Sequence, residues 1–370
     1  VLGAVDLSAI PQAEANLAGR LSGRTFSGPR VALSAHGAGL ALKAPELSLD
    51  GGSGAAVDVG SMLANAFGFH ELSLTSNERV MVLPEALQLS VTPQQIQFIG
   101  RADSLQTGVS TTALGALLDR SARLVTPDLA IATPSSLWLT SRQTAFNEVD
   151  VNATAAPNLD MVLGAGSTLE VTPGGTIGLR NEGSLVVGGS LSARGGTVSL
   201  EAAPMFANEI GDLISQNRTA YGYNDTLGLF LTDTATIDVR GVIANESLNL
   251  STTPGSEVRR QLLSGGDVRL RANTGVIVGA AQARVRLDGV TGAVIGGSDE
   301  FGGLGPFALR ETQVATDAGA LYLDSGLGMA FATQVSAVAA TGLGARGGLL
   351  QINLDGGLRP LSASAQGADA

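Results

Sequence analysis

Cysteine is missing from this sequence and lysine nearly so: of 370 residues none is Cys, and Lys43 is the single lysine. The first absence excludes disulfide scaffolds, thiolate metal centres and cysteine nucleophiles. The second, joined to a net charge of −11 and arginines scattered singly, removes the basic stripe that a nucleic-acid binder needs. Aromatic residues make up only 4% of the chain and Trp occurs once, so the core must be aliphatic and a large aromatic-lined pocket is disfavoured. Histidine occurs twice, as His36 in a Gly-rich corner and His70 after Phe67-Gly68-Phe69, and both read as turn residues. No apolar run reaches the roughly 18 to 20 residues that span a bilayer, and Val1 to Leu7 has neither a basic nor a strongly apolar leader. Membrane insertion is therefore not expected, and the chain reads as an excised or processed segment.

What is present is glycine, 50 residues of it, among 44% hydrophobic and 15% charged residues. That balance excludes disorder, because the aliphatic surface is ample for a long core. From Gly166 to Ala202 short alternating apolar runs are separated by Gly pairs or Pro-Gly. The inward candidates are Leu169 and Val171, Ile177 and Leu179, Leu185 and Val187, Leu191 and Ala193, then Val198, Leu200 and Ala202. Each run is a strand of about four residues with one buried face. Every third run returns after 21 or 22 residues, which is one solenoid coil of three strands. The motif GGTVSLEA at Gly195 to Ala202 reappears as GGDVRLRA at Gly265 to Ala272 and in shape as GGLLQINLD at Gly347 to Asp355. A hairpin sandwich also has short strands and glycine turns, but it lacks a sustained echo of this kind.

The expected fold is therefore all-β, a parallel β-helix whose coils carry loop and short-helix insertions. At about 22 residues per coil the chain would make at most roughly 17 coils and a rod of about 80 Å. Residues 1–160 read as irregular, decorated coils; 161–361 as more regular coils with insertions near 204–226 and 292–307; and 362–370 as a tail. Pro204 to Thr226 has helical spacing at Phe206, Ile210, Leu213 and Ile214, as does Ser110 to Leu124 at Leu114, Leu117, Leu118 and Ala122. Gly292 to Phe307 reads as a glycine-rich loop. A second echo, Leu-Asp followed by turn residues, places Asp50, Asp288, Asp324 and Asp355 where each can bond its own turn.

Several β-helices degrade polysaccharides, which requires paired acids for hydrolysis or a Ca²⁺ site with a basic residue for elimination. No Asp-Asp pair, calcium-roll repeat or Ser-His-Asp spacing stands out, so no catalytic residue, metal or cofactor is expected. Insertions are where solenoids usually carry function, and Tyr221, Tyr223, Phe301 and Phe307 are their aromatics. Exposed, they would offer stacking surfaces to a sugar or a partner protein; the competing reading makes them satellite core over the coil beneath. Trp138, between Leu137 and Leu139, faces away from both and is a candidate for packing against a decoration.

The runs GSLSARGGTVSLEA (Gly189 to Ala202), TATIDVRGVIANESLNL (Thr234 to Leu250) and GGDVRLRANTG (Gly265 to Gly275) resemble the haemagglutinin-type repeats of filamentous-haemagglutinin-like proteins. These are large bacterial exoproteins of two-partner secretion. The resemblance implies a right-handed parallel β-helix, export through a dedicated outer-membrane transporter, and a place outside the cell or at its surface. It also implies a role in adhesion, biofilm formation or contact-dependent competition. The shaft would be a monomeric rod that binds a polysaccharide or a cell-surface receptor, or serves as a spacer. A β-helical polysaccharide lyase or hydrolase, and the stalk of a competition exoprotein, are the alternative readings.

Overall fold

The computed structural model describes residues 39–44, 47–49, 69–77, 80–93, 129–130, 132–142, 160–202, 228–245, 260–273, 275–297, 309–341 and 344–354. It adds the backbone of short strands at 5–6, 15–16, 25–27, 57–58, 95–98 and 122–125. Among the described residues there is no helix. Three parallel sheets organise the chain. The long sheet has nine strands, from Val5–Asp6 and Gly39–Ala44 through Ser136–Ser141, Thr176–Asn181, Thr197–Ala202, Asp267–Ala272 and Ala320–Ser325 to Leu349–Leu354. The second has five, Met161–Leu163 to Gly328–Phe331, and the third six, Gln88–Val91 to Gln334–Ser336.

The chain visits these sheets in turn. Thr168–Val171 lies in the third sheet, Thr176–Asn181 in the long one and Leu185–Val187 in the second; Ser190–Ser192 then returns to the third and Thr197–Ala202 to the long sheet. This stacking of parallel strands is all-β and compatible with a parallel β-helix. The 21-residue spacing holds from Thr176 to Thr197 but gives way to 70 residues from Thr197 to Asp267 and 53 from Asp267 to Ala320. Inserted segments use up the chain, so the nine rungs of the long sheet rise only about 38 Å at about 4.8 Å each, half the length expected from uniform coils.

The alternation of the sequence decides which side chains enter. Leu137, Ile177, Val198, Val268 and Leu321 occupy one register row, and Leu139, Leu179, Leu200, Leu270 and Leu323 the next. All ten are buried. Each such side chain contributes roughly 1.5–3 kcal/mol relative to exposure, so the ladder is the main source of cohesion. The corner between the long and second sheets is closed by small polar side chains. The Leu47 and Met81 amides donate to Ser76 and Ser141 Oγ, Asn181 Nδ2 donates to the Ser184 carbonyl, and Ser325 Oγ donates to the Gly275 carbonyl. Buried backbone groups at the bends are satisfied in this way.

Paired glycines mark the opposite corner for two separate reasons. Gly174 and Gly195 adopt φ of 76° and 63°, which a side chain disfavours. Their successors stack backbone on backbone: a Cβ on Gly196 would meet the Gly175 carbonyl oxygen at 2.0 Å, and one on Gly266 the Gly196 oxygen at 1.9 Å. The Asp echo works differently from its sequence reading. Asp288 accepts hydrogen bonds from Ser336 Oγ and the Val338 amide, and Asp324 reaches Arg271 and Asn353, so both tie neighbouring coils rather than their own turns. Asp50 and Asp355 lie outside the described residues.

Two of the insertions also differ from expectation. Ala122–Val125, at the end of the stretch read as a helix, is a strand antiparallel to Gln95–Phe98. Gly292, read as the start of a loop, belongs to Thr291–Gly297, which pairs antiparallel with Leu309–Ala315. Val125 in the first stretch and Thr291, Val294 and Ile295 in the second suit an extended backbone, and cross-strand pairing overrides the local helical spacing at Ala122. The helix expected over 204–226 lies outside the described residues.

Candidate ligand-binding surface

The aromatics singled out from the sequence, Tyr221, Tyr223, Phe301 and Phe307, all lie outside the described residues. Their attachment points are nevertheless fixed. Residues 203–227 leave after Ala202 in the long sheet and rejoin at Gly228 in the second, whereas 298–308 join the strands Thr291–Gly297 and Leu309–Ala315. The two insertions thus spring from different corners.

The corner between the third and long sheets carries three antiparallel pairs: Gln95–Phe98 with Ala122–Val125, Val242–Asn245 with Arg260–Leu263, and Thr291–Gly297 with Leu309–Ala315. The last two touch, because Asn245 Nδ2 donates to the Ala293 carbonyl at 2.7 Å. Leu263 lies over the glycine corner, where a Cβ on Gly195 would come within 2.5 Å of its own Cβ. Beside the first pair is a cleft of about 210 Å³ whose lining includes Pro93, Leu129, Glu170 and Thr172. It is mostly apolar, and smaller than the usual range for small-molecule sites.

Just before the second pair, Asp238 forms a two-pronged ion pair with Arg240, Nη2 to Oδ2 at 2.6 Å and Nε to Oδ1 at 2.9 Å. It also accepts from the Arg240 amide at 3.1 Å, the local turn bond expected of an Asp at such a position. Burial opposes ionisation of Asp238, but the Arg240 side-chain and backbone hydrogen bonds, with the charges of Arg240 and Arg194, outweigh it and hold the carboxyl below its ordinary value. Arg240 is raised in turn, chiefly by its bond to Asp238. This pair fastens the turn between Asp238 and Arg240.

The outer face of the long sheet offers more. Its central outward row reads Ser73, Trp138, Gly178, Ser199, Arg269, Tyr322 and Gln351, each paired in register with the next. Trp138 is 38% exposed. Its six-membered ring covers Gly178, where an added Cβ would sit 2.0 Å from Cε3 and 2.2 Å from Cζ3. Glycine inside a strand marks a close approach, and here the indole is what approaches. Further along, the Arg269 guanidinium stands 5.4 Å from the centre of the Tyr322 ring.

The outward rows carry charge in matched pairs. Arg180 lies 4.0 Å from Glu201, Arg269 3.1 Å from Asp267, and Arg271 3.3 Å from Asp324. Asn353 Nδ2 extends the last pair by donating to Asp324 at 3.3 Å. Thr140, Thr176 and Thr197 supply hydroxyls at neighbouring outward positions. The sequence reading placed Trp138 on the outside of its strand correctly but missed this face. Aligning SLWLTS, TIGLRN, TVSLEA, DVRLRA and ALYLDS in register would have revealed it, since alternate positions of those five hexamers form its rows.

Among the described residues no group of three or more His, Cys, Asp or Glu is arranged to hold a metal ion. No helix of the described residues is long and apolar enough to cross a membrane. Compared with known proteins, the chain matches no family model, no curated protein and no solved structure.

Proposed function

We propose that this chain is part of the shaft of a large exported bacterial surface adhesin, of the filamentous-haemagglutinin kind, built as a right-handed parallel β-helix. Three short strands and about 21–22 residues form its plain coils, and the corner insertions are decorations on a monomeric rod. In this reading the rod reaches the cell surface through a two-partner outer-membrane transporter. There it presents its sides to a polysaccharide or a cell-surface receptor, or acts as a rigid spacer in adhesion and biofilm formation.

The observation that carries the reading is the long sheet itself. From Gly39–Ala44 to Leu349–Leu354 each strand pairs in parallel with the next in unbroken register. A stack of this kind lengthens by repetition, and its stability is a sum of neighbour interfaces. Such a design suits a part whose work is reach and lateral display.

The test incubates the purified chain with bacterial and host polysaccharides and with host cells, scoring retention and released reducing or unsaturated ends in the same tubes. Retention without release supports the adhesive shaft. Release of oligosaccharide would replace it with a polysaccharide-degrading β-helix, and X-ray scattering from a compact sphere instead of a rod would overturn it outright.

A further inference from the structure

We propose that the outer face of the long sheet is a binding track for an extended neutral polysaccharide, with Trp138 as its stacking platform. The inference rests on the adhesive reading and names both the surface and the class of ligand.

Three features of the face converge on that class. First, the indole of Trp138 is held flat over Gly178 by the lack of a side chain there, yet is 38% exposed. A rigid, half-exposed aromatic surface fits the C–H face of a pyranose ring, and its ordering entropy has already been spent in the folded chain. Second, paired polar groups run along the same face. Arg180 with Glu201 near Trp138, and Arg269 with Asp267 and Arg271 with Asp324 further along, each present donors and acceptors together, as vicinal hydroxyls require.

Third, charge selects the ligand. The outward cations Lys43, Arg180, Arg269 and Arg271 are matched in number by the carboxylates Glu71, Glu201, Asp267 and Asp324, while the whole chain carries −11. An anionic polymer meets long-range repulsion with no local excess of cations to offset it, and a cationic one finds three of the four carboxylates already paired with arginine. A neutral polymer meets neither obstacle.

Dimensions favour a chain over a single sugar. Trp138 and Tyr322 occupy the same outward row four strand steps apart, about 19 Å at about 4.8 Å per step. Between them Ser199 and Arg269 continue the row, so an extended saccharide lying along the stack would meet a polar or aromatic side chain at nearly every rung. A compact ligand would use one end and leave the rest of the row idle.

The experiment exploits the fact that Trp138 is the only tryptophan. The intact chain is titrated with hydroxyethylcellulose, galactomannan and mixed-linkage β-glucan, and separately with alginate and heparin. Intrinsic fluorescence and retardation in polymer-containing native gels are read together. Expected is retardation by at least one neutral polymer with a shift in Trp138 emission, weakened at least tenfold by Trp138→Ala and largely retained by Trp138→Phe. Tyr322→Ala should weaken the polymer severalfold while leaving a short oligosaccharide unaffected. Circular dichroism of each variant separates lost binding from lost fold, and the wild-type emission signal needs no variant.

Retardation that leaves Trp138 emission unchanged and persists in Trp138→Ala would overturn this face while sparing the adhesive reading, since binding would then lie elsewhere. Retardation by alginate or heparin alone would overturn the neutral class. Absence of binding to every polymer would overturn the inference, while adhesion to host cells in the preceding assay would still stand for a protein receptor.

Discussion

Leu200 and Ile352 are alike in every local respect: each is the second inward aliphatic of a six-residue strand in the long sheet, reached by the same register. Leu200 is fully buried, whereas Ile352 is 49% exposed and its neighbour Leu350 59%. The difference is that Thr197–Ala202 has a strand on either side, and Leu349–Leu354 pairs with Ala320–Ser325 alone among the described residues. Burial in this molecule is thus conferred by the next coil, and the same side chain is core or surface according to its neighbours. Substitution should expose that contrast most sharply. Leu200→Ala is expected to cost about 2–5 kcal/mol, the range for a large-to-small change in a packed core. Leu350→Ala should stay within about 0.5 kcal/mol. Urea melts of the two variants would check this, and equal losses would mean that the last strand is covered in solution.

The glycine corner sharpens the comparison next. In the middle of the stack a Cβ at Gly196 collides with the Gly175 backbone, which cannot rotate away, so Gly196→Ala should destabilise by about 1–3 kcal/mol. Gly348, the second of the pair before the last strand, repeats that approach to the Gly319 oxygen at 2.6 Å, whereas Gly347, the first of the pair, has nothing within 4 Å of an added Cβ. Gly347→Ala should be neutral, or stabilise by up to about 1 kcal/mol through the unfolded chain. A thermal melt that ranks the two variants the other way round would refute the stacked-backbone account of the glycine pairs.

Much of this was legible because a strand's period is two. Leu169, Ile177, Leu179, Leu185, Leu191, Val198 and Leu200 were read as inward from alternation alone, and all are buried. Gly-Gly was read as a corner, though its second member serves stacking between coils, which no single coil displays. What alternation could not supply was distance along the chain between coils. The insertions between Ala202 and Gly228 and between the paired strands follow no period, so uniform coils overestimated the rise. Local pattern also misread Asp288 and Asp324, whose partners belong to neighbouring coils. The aromatic hypothesis at Tyr221, Tyr223, Phe301 and Phe307 concerned residues beyond the described ones, while the outer row around Trp138 was hidden because its members come from seven separate stretches of sequence.

Ion pairs give a smaller contrast of the same kind. Asp238 is largely covered and clasps Arg240 in two places, while Asp317 near the last strand accepts, among the described residues, the Arg346 amide alone, at 2.7 Å, in an exposed setting. Partial exposure of Arg240 limits Asp238→Asn to about 1 kcal/mol, and Asp317→Asn should cost less than about 0.5. The lowered pKa of Asp238 fixes the pH dependence. A carboxyl that is more acidic folded than unfolded contributes stability that is fully present above its unfolded value, and loses it as pH falls through the folded one. The gap in melting temperature between wild type and Asp238→Asn should therefore be flat from about pH 5 to 8 and close below about pH 4. A gap that widens in acid would reverse the sign assigned to this pair.

The smallest effect on stability should come from the exposed edge, and there a different readout is needed. Among the described residues Leu349–Leu354 is paired on one side only, beside exposed Leu350 and Ile352, which is the arrangement that templates strand addition. A single charge is the usual remedy, because a lysine at the edge pairs poorly with a second strand yet remains solvated in the monomer. Ile352→Lys should thus change the melting temperature little while lowering self-association in sedimentation velocity at high protein concentration. The same lysine at Leu200 would bury an uncompensated charge and unfold the middle coils. If Ile352→Lys leaves self-association untouched, the edge is not the sticky element, and the exposed outer row at Trp138 becomes the next surface to charge.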